Sequence, residues 1–114
     1  MTKIWTLGRA NKRKQFTFTG SIKSGVILLF AGKPHISSEF FKAIVTEFRG
    51  KTIAGGFSMT DPTPGGLGQW VEENSKRLNG LCLTPRHASF IAAVMVHEGL
   101  ITSSLQGNAV YLHF

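Results

Sequence analysis

Two capped helix signatures, separated by a stretch that can be neither helix nor strand, limit what this chain can fold into more than any other feature. Ser37 is a favoured N-cap, and Ile36 before it is placed to pack on Phe41 as a hydrophobic staple. Phe40, Phe41, Ile44, Val45 and Phe48 follow at helical spacing, and Gly50 supplies the stop, so a helix is predicted over 38–49. Farther along, Thr84 precedes Pro85, the pair expected at a cap and a first helical position; Gly99 ends a helix over 86–98. The intervening Thr60-Asp61-Pro62-Thr63-Pro64-Gly65-Gly66 must be a loop. After it, Leu67, Trp70, Val71 and Asn74 take up three-and-four spacing, which predicts another helix of about ten residues.

Strand signals lie on either side of these helices. Phe16-Thr17-Phe18-Thr19 alternates apolar and polar, 26–30 is β-branched and aromatic, and Ser24-Gly25 turns between them, giving a β-hairpin with Phe16 and Phe18 facing inward. A short strand fits 51–57. The tail over 101–114 breaks at Gln106-Gly107-Asn108 between two alternating stretches, most clearly Val110, Leu112 and Phe114, and reads as a second hairpin. The expected class is α+β, three helices with an N-terminal and a C-terminal β-hairpin. At 114 residues it fits one domain, with 1–36 as a basic arm and hairpin and 37–114 as the remainder. Phe41, Ile44, Phe48, Ile91, Met95 and Leu112 are expected in the core. Cys82 is the single cysteine, which excludes an internal disulfide or a multi-cysteine zinc site. Between Leu81 and Leu83 it reads as a small buried hydrophobe. The longest apolar run, 26–31, is far short of the roughly 20 residues of a membrane span, and no signal-peptide pattern opens the chain. A cytoplasmic protein without a membrane partner is expected.

Charge is distributed unevenly. Lys3, Arg9, Lys12, Arg13, Lys14, Lys23 and Lys33 all precede the first acidic residue, Glu39, while the rest of the chain balances six cations against six anions. The net charge of +7 therefore belongs to the N-terminal region, and a one-signed field of this kind favours polyanions, nucleic acid foremost. Arg9, Lys12, Arg13 and Lys14 fall in a basic loop over 8–15 whose composition favours an exposed, mobile arm. Trp5, Phe16 and Phe18 stand among these cations. Interleaved aromatics and cations can stack on unpaired bases, although alternation accounts for the phenylalanines as core.

The order helix, short strand, helix, helix, hairpin resembles the winged helix-turn-helix family of DNA-binding domains. The closest local likeness is Val96-His97-Glu98-Gly99-Leu100-Ile101 followed by Val110-Tyr111-Leu112, and the resemblance covers about two-thirds of the chain. Two features set this sequence apart: a long loop over 58–66, and a wing with no lysine or arginine. The resemblance implies that the N-terminal turns of the third helix contact DNA. The residues of that helix point the same way, because Arg86, Ser89, Ala93 and His97 align on one stripe at about 100 degrees per residue. A cation, a hydroxyl, a small residue and a histidine suit a groove or phosphate backbone. The opposing expectation is a helix apolar nearly all round and simply buried; the small-residue face also suits a homodimer.

Other chemistry is sparse. His87 and His97, ten apart, do not form an i, i+4 metal pair, and no metal or cofactor motif occurs. Gly65-Gly66-Leu67-Gly68 lacks the Gly-Lys-Ser/Thr ending of a P-loop and reads as a structural helix start. The function expected is a small, non-enzymatic nucleic-acid-binding protein, DNA foremost, using Arg9, Lys12, Arg13, Lys14, Arg86, Ser89 and His97. The alternatives are a protein-interaction module with an acidic partner, and a metal-free nuclease built on distant histidines with Glu98 or Asp61.

Overall fold

Both predicted caps form. In the computed structural model, which describes residues 1–114 apart from Ala10, Lys12 and Ala31, the Ser37 hydroxyl accepts the Phe40 N–H at 3.1 Å and starts α1 (Ser38–Phe48). Thr84 accepts the His87 N–H at 3.4 Å, while its own N–H donates to His87 Nδ1 at 3.0 Å, and Pro85 opens α3 (Pro85–His97). His87 thus takes the reciprocal part that glutamate usually plays in a capping box. Between them, α2 (Leu67–Asn79) is longer than the about ten residues that the spacing of Leu67, Trp70, Val71 and Asn74 foretold, and it follows Gly66 as N-cap without any side-chain cap. Packing explains that start. The Gly68 N–H donates to the Gly55 carbonyl at 2.8 Å, and a Cβ at Gly68 would overlap the Gly56 carbonyl oxygen, so two glycine pairs let the backbones touch.

Three helices and two antiparallel sheets among the described residues make an α+β fold. The N-terminal hairpin expected from the sequence is the middle of a larger sheet: β2 (Gln15–Ser21) and β3 (Gly25–Leu28) are flanked by β1 (Thr2–Trp5) and β4 (His35–Ile36), in the order β1-β2-β3-β4. The second sheet joins β5 (Thr52–Ala54), which lies between α1 and α2, to the C-terminal hairpin of β6 (Thr102–Gln106) and β7 (Ala109–His113), in the order β5-β7-β6. His113 ties its three strands together, with Nδ1 bonded to the Thr52 hydroxyl at 3.0 Å and Nε2 to the Ser104 hydroxyl at 2.8 Å. Cross-strand side-chain pairs of this kind stabilise a sheet face directly.

The core runs between the first sheet and the helices. Phe16 and Phe18 point inward from β2, and Phe90 of α3 meets Phe16 at 4.9 Å and Phe30 at 4.8 Å between ring centroids. All six expected core residues are buried. Cys82 is not: it is exposed, while its neighbour Leu83 turns inward and donates its N–H to the buried Ser75 hydroxyl at 2.8 Å. Local alternation across this short connection puts one of the two positions in water, and the bulkier leucine takes the buried one.

Candidate nucleic-acid interface

The basic loop is anchored to the rest of the fold. Its neck is closed twice, by the Thr6 N–H donating to the Lys14 carbonyl and by the Lys14 N–H donating to the Thr6 hydroxyl, both at 2.8 Å. Thr6 is buried, so this closure is shielded from water. Farther out, Arg9 Nε donates to the Gly107 carbonyl at 2.8 Å, across 98 residues of sequence. Arg13 lies over the Trp5 ring, its guanidinium carbon 5.6 Å from the centroid, within reach of a cation–π attraction. The mobile arm expected from composition is held at its neck, at Arg9 and at Arg13. Lys12, predicted as a phosphate contact, lies outside the described residues.

Anchoring brings the charge to the C-terminal hairpin. Gly107 forms the β6–β7 turn at φ 64, and Gly8, at φ 129, brings its backbone to within contact of Val110, 3.9 Å from where a Cβ would stand. The hairpin carries no lysine or arginine of its own; Arg9 supplies a guanidinium at its tip. Between loop and hairpin lies an open concavity of about 430 Å³, walled by Trp5, Leu7 and Arg13 on one side and Ser103, Leu105 and Val110 on the other. No carboxylate lines it; exposed Arg13 does, and Arg9 and Lys14, which adjoin lining residues in sequence, are exposed as well. Trp5, whose role the sequence left open, is 49% exposed.

The third-helix stripe is placed differently. Arg86 and His97 are exposed at the two ends of α3, Ser89 is half-buried with its hydroxyl donating to the Arg86 carbonyl at 2.7 Å, and Ala93 between them is buried. The N-terminal sheet covers this side, for Phe18 faces His97 at 6.1 Å and Phe16 faces Phe90. Arg86, Ser89 and His97 therefore do not form one open face, and Ala93, the small residue at the centre of the stripe, is buried within the chain. The apolar composition of α3 was the signal for this. A helix that is hydrophobic nearly all round is buried from both sides.

The histidines stay apart. His87 stacks on Phe30 at 6.3 Å and 16°, and its partial burial lowers its pKa from the usual 6.5 by desolvating the charged form. His113 is bonded within the second sheet, and the Glu98 carboxylate accepts the Ile22 N–H at 3.1 Å. Among the described residues no group of three histidine, cysteine or carboxylate side chains could hold a metal ion. None of the described helices is long and apolar enough to cross a membrane. Compared with known proteins, the chain matches no family model, no curated protein and no solved structure.

Proposed function

We propose that this protein binds nucleic acid, DNA foremost, through the basic β1–β2 loop and the tip of the β6–β7 hairpin. The observation that carries this reading is the Arg9 to Gly107 hydrogen bond, which fixes an acid-free, cation-rich loop onto a hairpin that has no cation itself. Arg9, Arg13 and Lys14 hold phosphates, where charge-assisted bonds are strongest and the guanidinium fork matches phosphate oxygens. The order from α1 onward, with β5 closing a three-stranded sheet on the hairpin, supports a winged-helix-like arrangement in which the wing side does the binding. Arg86 and His97 contribute at most at the ends of α3, because the N-terminal sheet occupies its middle. The setting we propose is cytoplasmic.

Titration of a labelled DNA duplex across a salt series tests the proposal. Contacts to three phosphates give a log–log slope of about −2.7, at roughly −0.9 per phosphate. An absence of binding at low salt, to the duplex and to a single strand alike, would contradict it. A second reading, an interaction module for an acidic protein, is favoured by one observation: half-buried Ile22 and Val45 and exposed Leu100 share a concavity with Lys42 and Arg49. Mixed apolar and cationic walls of this kind suit an acidic amphipathic segment. Binding of such a segment without binding of DNA would place this reading first.

A further inference from the structure

Trp5 is used differently from the chain's other tryptophan. The partly buried Trp70 ring packs on two aromatic neighbours, Phe40 stacked at 5.6 Å and Phe48 edge-on at 5.9 Å, at the margin of the core. Trp5 lies on edge strand β1, paired with Gln15, and its ring contact is the Arg13 guanidinium. About half of its surface is in water, beside a recess whose far wall is Leu105, itself 46% exposed. Two large apolar side chains face solvent across one concavity, and cations flank it. A flat apolar group bearing an anion would cover both and neutralise the rim.

We infer that this recess is a stacking site for an unpaired nucleobase, so that the preferred ligand is single-stranded nucleic acid or a strand end with a base out of its stack. The inference rests on the nucleic-acid proposal above and narrows it. Three arguments carry it. An indole reaches a base face only when the base has left the duplex stack, since neighbouring pairs cover both faces inside a helix. The recess, at about 430 Å³, lies within the roughly 300–1,000 Å³ range of small-ligand sites. It is too confined for a double helix. Lastly, Arg13 lies at the Trp5 ring and lines the recess, and exposed Arg9 is bonded to the tip of the hairpin that forms its other wall, which pairs an aromatic platform with cations as single-strand binders do. Discrimination among bases is weak on this account, because every base has a π-face.

The test titrates the full chain with an oligothymidylate of about ten nucleotides and, separately, with a blunt duplex, following indole emission and the anisotropy of labelled strands. The single strand quenches the emission of the wild type, and Trp5→Phe removes that quenching, since the partly buried Trp70 packs on Phe40 and Phe48 and does not line the recess. Trp5→Ala weakens single-strand affinity by roughly 5- to 150-fold while duplex affinity holds; Trp5→Phe, which keeps an aromatic face, retains most of it. Equal losses for strand and duplex in Trp5→Ala, or no loss for either, overturn the stacking site. Salt-dependent duplex binding without any indole response to single strand likewise overturns it and leaves the broader proposal standing. A wild-type chain that binds neither ligand overturns both.

Discussion

Two glycine-containing irregular segments of similar length, 6–14 and 55–66, are held in opposite ways. The second is packed backbone to backbone. The Gly66 N–H donates to the Thr63 carbonyl, the Gly68 N–H to the Gly55 carbonyl, and a Cβ at Gly66 would stand 2.9 Å from the Ala54 carbonyl oxygen. Its glycine backbone groups are committed to the fold. The first is tied down at its neck, at Arg9 and at Arg13, while Arg9, Arg13 and Lys14 stay exposed. The glycine-rich loop before α2, read from the sequence as a structural helix start, is a packing device; a basic loop that looked mobile is a positioned surface.

This contrast can be broken at the glycine end first, where the effect is largest. Gly68→Ala forces a methyl into the Gly56 carbonyl, and overpacking at a backbone contact costs about 3 kcal/mol. Urea unfolding measures it; nucleic-acid affinity per folded molecule should not change. A midpoint left in place would mean that the two glycine pairs do not hold the segment. At the basic end the balance reverses. Arg9→Ala removes one phosphate contact and the tie to Gly107, lowering DNA affinity and flattening the salt slope by about 0.9, with stability changed by no more than about 0.5 kcal/mol. If the slope holds and the midpoint falls, Arg9 is a structural link alone.

Away from both segments, His87 makes stability depend on pH. Its pKa is lowered in the fold by burial, so the unfolded chain binds more protons as pH falls below about 6.5. Its contribution to stability is complete above that pH and is lost on acidification through the folded value. Protonation would also put a hydrogen on Nδ1, which accepts the Thr84 N–H, and so loosen the α3 cap. Urea midpoints from pH 8 to about pH 5 should fall less in His87→Gln than in the wild type; parallel profiles would exclude His87 as the source. The smallest effect belongs to Arg86→Ala: with α3 covered by the N-terminal sheet, both DNA affinity and stability should move by less than about 0.5 kcal/mol. A loss of 1 to 3 kcal/mol in binding alone, roughly the cost of a lost bidentate contact, would restore α3 as a reading element.

Much of the fold could be read from local chemistry. Ser37 and the Thr84-Pro85 pair set two helix starts, Gly50 and Gly99 two stops, and the alternation about Leu112 a strand, because caps and periodicity act over a few residues. β4 was hidden for the converse reason: two residues, His35 and Ile36, are too few for any period to register. β1 has four residues, and of the two on its inner side, Thr2 opposite Phe18 and Ile4 opposite Phe16, only Ile4 is apolar, so its signal was lost beside the basic loop. The site was harder still. Its cations were evident from charge, but the Arg9 bond to Gly107 joins opposite ends of the chain, and no local pattern in either segment encodes it. The covering of α3 was implicit in its composition, since Ile91, Ala92, Val94 and Met95 with Phe90 leave almost no polar face.

The central claim is that the basic loop is a positioned binding surface, and one paired salt titration tests it most directly. Duplex affinity is measured from low to moderate ionic strength for the wild type and for the Arg9→Ala, Arg13→Ala, Lys14→Ala triple variant, with the fold of each checked by its urea midpoint. The account predicts weaker binding of every duplex sequence to a similar degree, a slope flatter by about 2.7, and a midpoint almost unmoved. Affinity and slope unchanged in a folded triple variant would contradict it and move the nucleic-acid contact, if there is one, away from this loop.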